Sequence, residues 1–143
     1  MGATRYEKIP DADISGSGSV LGMECSADGQ ILVIGFFNWP HVRTYKFNAA
    51  ANQYQSLPQP DVLPTGPCRG VTVSADGKRM GLGFDNAPRT AIYVFNEEEG
   101  RFKAVPHVMA VSSGMIRGVS ATPNGDKMVF GVYGAPHMVV VEV

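Results

Sequence analysis

Gly22-Met23-Glu24-Cys25-Ser26-Ala27-Asp28-Gly29 returns as Gly70-Val71-Thr72-Val73-Ser74-Ala75-Asp76-Gly77, and again as Gly118-Val119-Ser120-Ala121-Thr122-Pro123-Asn124-Gly125. The spacing is 48 residues both times, with no insertion or deletion inside the motif. A further glycine follows each motif at Gly35, Gly83 and Gly131, and a proline follows that at Pro40, Pro88 and Pro136. A fixed period of this length marks a repeat architecture in which each repeat is one supersecondary unit. Such units cannot bury their own apolar faces, so the pattern implies neighbours that cover them.

Each repeat reads as four short strands. The first is Met23–Ser26, Val71–Ser74 and Val119–Thr122. It ends in a turn at Asp28-Gly29, Asp76-Gly77 or Asn124-Gly125, dipeptides that tolerate the positive φ of tight hairpins. The second is Ile31–Phe36, Arg79–Phe84 and Lys127–Val132, with apolar residues alternating at Leu32, Ile34 and Phe36 and at their counterparts. Period two is the strand signature. A loop follows (Phe37-Asn38-Trp39-Pro40, Asp85-Asn86-Ala87-Pro88, Tyr133-Gly134-Ala135-Pro136), then a third strand, Val42–Phe47, Thr90–Phe95 and Met138–Val143. The fourth is Tyr54–Leu57 and Phe102–Val105, followed by Pro58 or Pro106 and a linker, Gln59–Gly66 or His107–Gly114.

The chain opens out of phase with this order. Tyr6-Glu7-Lys8-Ile9-Pro10 matches Tyr54 to Pro58, so residues 1–21 read as a fourth strand plus linker. Residues 22–69 and 70–117 are full repeats, and 118–143 is a third that stops at the end of its third strand. Four antiparallel strands in a repeat of roughly 40 to 50 residues is the blade of a β-propeller. The expected fold is therefore all-β, one domain of three four-stranded blades. With 17 Gly and 10 Pro and no 3.6-residue periodicity, helices are not expected. An immunoglobulin-like sandwich would not generate the internal period.

The run Leu63-Pro64-Thr65-Gly66, then Gly70-Val71-Thr72-Val73-Ser74-Ala75-Asp76-Gly77-Lys78, then Pro88-Arg89-Thr90-Ala91-Ile92-Tyr93 resembles the WD-repeat-like, YVTN-type propeller repeats of tailed-bacteriophage and bacterial proteins. The resemblance covers essentially the whole chain. Where those repeats carry Ser-Pro-Asp-Gly, this sequence has Ser-Ala-Asp-Gly twice and Thr-Pro-Asn-Gly once, and it lacks the Trp-Asp pair of true WD repeats. The resemblance implies a rigid scaffold, with a phage virion as its setting.

Propellers hold about four to eight blades. Three alone would leave two apolar faces and a strand edge open. Two copies related by a twofold axis would close a six-bladed ring. In that expectation Tyr6–Ile9 of one copy pairs with Met138–Val143 of the other, with Tyr6, Ile9, Val139 and Val141 as closing residues.

Twelve basic and 13 acidic residues, net −1, give no basic stripe, and nucleic acid is not an expected partner. No apolar run reaches the roughly 20 residues of a membrane helix, and the N-terminus has no secretory h-region. The expected location is a virion or the cytoplasm. Cys25 and Cys68 sit where sister repeats carry small apolar residues, so both are expected as buried free thiols. They lack the histidine spacing of a zinc site, and no cofactor or metal is expected.

Candidate contact residues fall at two repeat phases. Arg69 and Arg117 precede the inner-strand glycine, where the first repeat has Leu21. Near a channel mouth their guanidinium groups suit an anion or carboxylate, or solvate the mouth. His41, Arg89 and His137 follow the loop proline and form a second ring, joined by Asn38, Asn86 and the single tryptophan, Trp39. Trp39 replaces alanine in the sister repeats, so it suits a stacking patch or fills a gap between blades. His107 has no counterpart. Asp28, Asp76 and Asn124 read as turn acceptors, not calcium ligands, and Glu97-Glu98-Glu99 as a solvated hairpin tip. No nucleophile constellation or phosphate-cradling glycine motif is present.

These features lead to a non-enzymatic binding protein, a virion decoration, head–tail, tail or fibre half-propeller that docks other proteins through the Asn38–His41 loop and the linkers Pro64–Pro67 and Ser112–Met115. A glycan-binding module using Trp39 is the alternative, with a lactonase-like propeller enzyme or an excised or engineered propeller fragment behind it.

Overall fold

The computed structural model describes residues 6–14, 18–106 and 114–143. Among them there is no helix, and eleven strands form three antiparallel sheets. The first sheet runs β1 (Val20–Cys25), β2 (Ile31–Phe36), β3 (Val42–Asn48), β4 (Gln53–Ser56) in spatial order. The second repeats it with β5 (Cys68–Val73), β6 (Arg79–Phe84), β7 (Thr90–Asn96) and β8 (Arg101–Ala104). The third has β9 (Ile116–Ala121), β10 (Lys127–Val132) and β11 (Met138–Glu142). His107 and Ser112 lie outside the described residues.

The second strands fall where the alternating residues place them. The first strands differ: each begins three residues early, at Val20, Cys68 or Ile116, and stops before the serine or threonine. That residue is drawn into the turn instead. Ser26 Oγ donates to Asp28 Oδ1 (2.7 Å) and accepts from Ile31 N (3.0 Å), while Asp28 Oδ1 also accepts from Gln30 N (3.0 Å). Ser74 and Asp76 repeat these bonds. In the third sheet Asn124 Oδ1 accepts from Thr122 Oγ1 (3.0 Å) and from Asp126 N (3.3 Å). Gly29, Gly77 and Gly125 close the turns at φ near 72–74°, a region L side chains rarely enter.

Side chains alternate between the two faces of each sheet. Leu32, Ile34 and Phe36 pack with Tyr45, Tyr54 and Ala12 on one face of the first sheet. Ile31 and Val33 face the second sheet and join Cys68, Val71, Val73, Met80, Leu82 and Phe84 in one core. Ile92 faces the third sheet, against Ile116, Met128, Phe130 and Val132. Each such large side chain contributes about 1.5–3 kcal/mol by leaving water.

The inner strands stand side by side, β1 against β5 and β5 against β9. Ala27 N donates to Ala75 O (3.0 Å) and Ala75 N to Pro123 O (2.8 Å). Approach this close requires glycine. A Cβ on Gly22 would lie 2.7 Å from Arg69 O, and one on Gly35 would strike Cys68 O. At the next junction a Cβ on Gly83 would run into Ile116 Cγ2, and one on Gly70 would lie 3.2 Å from the carbonyl carbon of Gly118.

Residues ahead of the first sheet behave as its linker. Tyr45 Oη donates to Asp13 O (2.9 Å), as Tyr93 Oη does to Val62 O (2.9 Å). Asp61 Oδ1 accepts from Ala104 N (2.7 Å), tying the second linker to β8. Tyr6 is almost fully exposed, and residues 6–10 form no strand within one copy. Val139 and Val141 face inward, against the core of the third sheet.

The cysteines correct the expectation of two buried thiols. Cys68 is fully buried and its thiol is pushed up to about 12 by desolvation. Cys25 is exposed, because its face is the one where no preceding sheet lies.

Gly83→Ala should destabilise the fold by about 1–3 kcal/mol through overpacking against Ile116. Gly118→Ala, which meets nothing within contact range inside one copy, should be neutral or gain up to about 1 kcal/mol in the dissociated monomer. Denaturant unfolding of both variants checks the contrast.

The Asp28 carboxyl is held below the usual carboxylate range by the Gln30 amide and the Ser26 hydroxyl, and that of Asp76 by the Ser74 hydroxyl and the Lys78 amide. Folded-state values below the unfolded ones mean that this stabilisation is present above the unfolded pKa and is lost as pH falls through the depressed values. Asn124 occupies the same turn without titrating. Asp28→Asn/Asp76→Asn should therefore fold and show a flatter loss of stability below about pH 4 in pH-dependent thermal melts.

Candidate functional site

One end of the three sheets carries most of the candidate residues. The linkers enter there and the β2–β3 type loops close there, joined by Phe37 N to Ser19 O (3.0 Å), Asp85 N to Pro67 O (3.1 Å) and Tyr133 N to Met115 O (2.8 Å). The inner-strand ladder is interrupted at the same place in every sheet. Val20 pairs with Phe36 and Gly22 with Gly35; Cys68 pairs with Phe84 and Gly70 with Gly83; Ile116 pairs with Val132 and Gly118 with Gly131. Leu21, Arg69 and Arg117 are the extra residues of these three β-bulges. A bulged residue leaves the ladder and its side chain is re-aimed.

In the second and third sheets the bulged residue meets the residue that follows the second strand. In the second sheet Arg69 Nε donates to both oxygens of Asp85, at 3.0 and 3.2 Å. Arg89 Nη1 donates to the main-chain oxygen of the same aspartate (2.8 Å). In the third sheet the Arg117 guanidinium lies 5.5 Å from the centroid of the Tyr133 ring, a cation–π distance. Arg117 and Tyr133 are both exposed, and among the described residues Arg117 has no carboxylate in ion-pair range. In the first sheet the two positions are Leu21 and an exposed Phe37.

The second phase of candidate residues forms tight turns. Trp39-Pro40, Ala87-Pro88 and Ala135-Pro136 are cis peptides, and His41, Arg89 and His137 follow at φ 67–71°. Their amides donate to Asn38 O, Asn86 O and Gly134 O at 2.7–2.9 Å, which makes each loop a type VI turn. Asn86 Nδ2 donates to Thr65 O (2.9 Å) and Thr65 Oγ1 to Ala87 O (2.7 Å), a clamp between loop and linker. Asn38 packs against Gly18 as Asn86 does against Gly66. Trp39 is 65% exposed and stands edge-on to His41, with ring centroids 6.1 Å apart. His137 is exposed and has no counterpart of that ring contact.

Three groups therefore share this end: the Arg69–Asp85 pair, the Arg117–Tyr133 pair, and the exposed aromatics Phe37 and Trp39. No cluster of three His, Cys, Asp or Glu side chains suited to a metal occurs among the described residues. No helix there is long and apolar enough to cross a membrane. Asp85 and Tyr133, at the phase of Phe37, were not singled out in the sequence. Their shared phase after the second strand was the available signal, obscured by three unlike residue types. Glu24 was also missed. Its Oε1 accepts from Thr72 Oγ1 (3.2 Å), and Thr72 Oγ1 in turn accepts from Ala121 N (3.0 Å). Glu24, Thr72 and Ser120 occupy one phase, polar in every repeat.

No protein-family model matches the sequence, and no curated protein matches it. Solved structures do. A putative 6-phosphogluconolactonase from Bacteroides uniformis aligns over 90% of this chain and 43% of its own, at 16% identity and a TM-score of 0.61. A second protein so named, from Bacteroides fragilis, aligns over 88% and 40%, at 13% identity and 0.62. Hydrazine synthase of Kuenenia stuttgartiensis aligns over 99% and 36%, at 14% identity and 0.60. The chain thus spans well under half the length of these structures, and the likeness is one of fold: all-β and propeller-like.

These neighbours correct the expectation of a non-enzymatic, virion-associated docking protein with a glycan-binding alternative. The same sheet unit occurs in proteins named as enzymes, so the repeat motif marks the unit and not a phage setting.

Arg69→Ala should lower stability by about 1 kcal/mol, as expected for a partly exposed ion pair. Arg117→Ala, outside the ladder and without an ion pair, should leave it unchanged; paired denaturant curves decide this.

Proposed function

We propose that this chain supplies three blades of a closed propeller ring, completed by a second copy, and that the ring binds a small anionic ligand of the phosphorylated or carboxylated sugar type at its arginine-bearing end. The observation that carries the reading is the pair of bulged arginines at one repeat phase. The bulge takes each side chain out of the sheet, so neither is needed for the ladder. Arg117 retains its hydrogen-bond donors, and the Tyr133 ring beneath it holds the guanidinium plane without neutralising it. A guanidinium offers the planar, forked donor set that carboxylate and phosphate accept.

The names of two structural neighbours support the ligand class, since 6-phosphogluconolactone is both phosphorylated and a sugar lactone. The YVTN-type likeness of the repeat supports the ring. Arg69 donates to both carboxylate oxygens of Asp85, which leaves Arg117 as the arginine open to a ligand.

Titration calorimetry with 6-phosphogluconate tests the reading, with gluconate and inorganic phosphate as comparison ligands. Binding should weaken at high salt and fall at least tenfold in Arg117→Ala, the loss expected of a charge-assisted hydrogen bond. Absence of binding at millimolar ligand, or an affinity unchanged in Arg117→Ala, would overturn it.

A further inference from the structure

The outermost sheets carry the two halves of a junction that the chain already makes twice. Each sheet presents two glycines on neighbouring strands toward the next sheet: Gly22 and Gly35, then Gly70 and Gly83, with close contacts at all four. The third sheet has the same pair, Gly118 and Gly131. A Cβ on Gly118 would meet nothing, and one on Gly131 would approach only Gly118 O, at 3.7 Å. Neither has a positive φ, so neither the turn geometry nor packing within this chain requires glycine there. The notch is built and empty.

The flanking residues repeat this contrast. Val42 and Thr44 are 0% and 1% exposed, and Thr90 and Ile92 are 3% and 1%; their counterparts Met138 and Val140 are 59% and 51% exposed. On the opposite side, Cys68 and Val71 of β5 are 0% and 7% exposed, while Val20 and Met23 of β1 are 43% and 58% exposed and Cys25 is exposed as well. The polar contact also lacks its third member. Thr72 Oγ1 accepts the Ala121 amide of the following sheet (3.0 Å), and Ser120, at the same phase, is exposed.

We infer that a second copy seats its β1 on the outer face of β9–β11. The main chain at its residues 20–22 enters the Gly118–Gly131 notch, its Met23 packs on Met138 and Val140, and its Cys25 amide donates to Ser120 Oγ. The occupant is a second copy because the two open faces are the two sides of one repeated junction, matched phase by phase. Lys127 and Glu142 on the outer face of the third sheet pair with each other at 3.6 Å, and the chain carries a net charge of only −1, which leaves little repulsion between copies. Pro123 has no amide hydrogen, so the turn-to-turn bond of the internal junctions is missing at this one, and the Ser120 contact takes over its part in setting register.

The inference rests on the ring proposed above, and the test separates the two. Light scattering of the wild-type protein across 1–100 µM (about the concentration range for a micromolar complex) should give twice the 15.3 kDa chain mass. Gly118→Val and Gly131→Val should weaken association at least tenfold while leaving the circular dichroism spectrum and the monomer's melting intact, because both side chains point into open space in one copy. Alkylation of Cys25 should be slow in the wild-type dimer and fast in both variants, with Cys68 unreactive throughout. A wild-type dimer that neither substitution weakens would overturn this docking surface and leave the ring standing. A wild-type monomer at 100 µM (far above a micromolar dissociation constant) would overturn both.

Discussion

Everything in this molecule depends on how closely its innermost strands can approach. Bare main chain packs on bare main chain at Gly22, Gly35 and Gly70, and the Ile116 side chain lies against Gly83. That proximity lets a polar side chain from one sheet reach an amide of the next, and it brings Ile31, Val33 and their counterparts into the core of the neighbouring sheet. A methyl group at Gly83 would push the sheets apart along their whole height, because a close-packed interior does not yield locally. The outer strands follow from this contact, since each is positioned only by the ladder that begins at the inner one.

The same constraint sets the arginine-bearing end. With the inner strands pinned, the chain must shed one residue of register where the linker turns into the sheet, and it does so through a bulge at Leu21, Arg69 and Arg117. The bulge places a side chain of free choice beside the loop that closes the second strand. In the second sheet that choice is a salt bridge, and in the third a cation over an aromatic ring. The loops themselves are held by clamps of their own, Asn86 with Thr65 in the second repeat, so the arginines project from a rigid rim.

Much of the fold was legible from residue spacing. Strands β2, β6 and β10 occupy the residues where apolar side chains alternate, and the Asp-Gly and Asn-Gly pairs sit in the turns that their backbone preferences indicate. The starts of β1, β5 and β9 were not legible. Val20, Cys68 and Ile116 precede a bulged residue, which breaks the alternation from which a strand is read. The exposure of Cys25 was hidden for another reason. Its sisters Val73 and Ala121 face a sheet that precedes them, and a repeat pattern cannot say which copy lacks that neighbour. Of the site, the arginine phase was visible, whereas Asp85 and Tyr133 share no residue type and become partners only once the bulge is seen. The functional setting was misread because the same sheet unit also builds propeller-like folds of proteins named as enzymes.

The bulged position has an evolutionary consequence. It pairs with nothing in the ladder and fills no core, so mutation there costs folding no more than a local contact, about 1 kcal/mol for the Arg69–Asp85 pair, while changing what the rim displays. In the present Leu, Arg, Arg series the first repeat already differs from the other two at that position while the glycines around it stay unchanged. A lineage built on this unit can therefore rewrite what this rim displays one repeat at a time, without renegotiating the architecture that carries it.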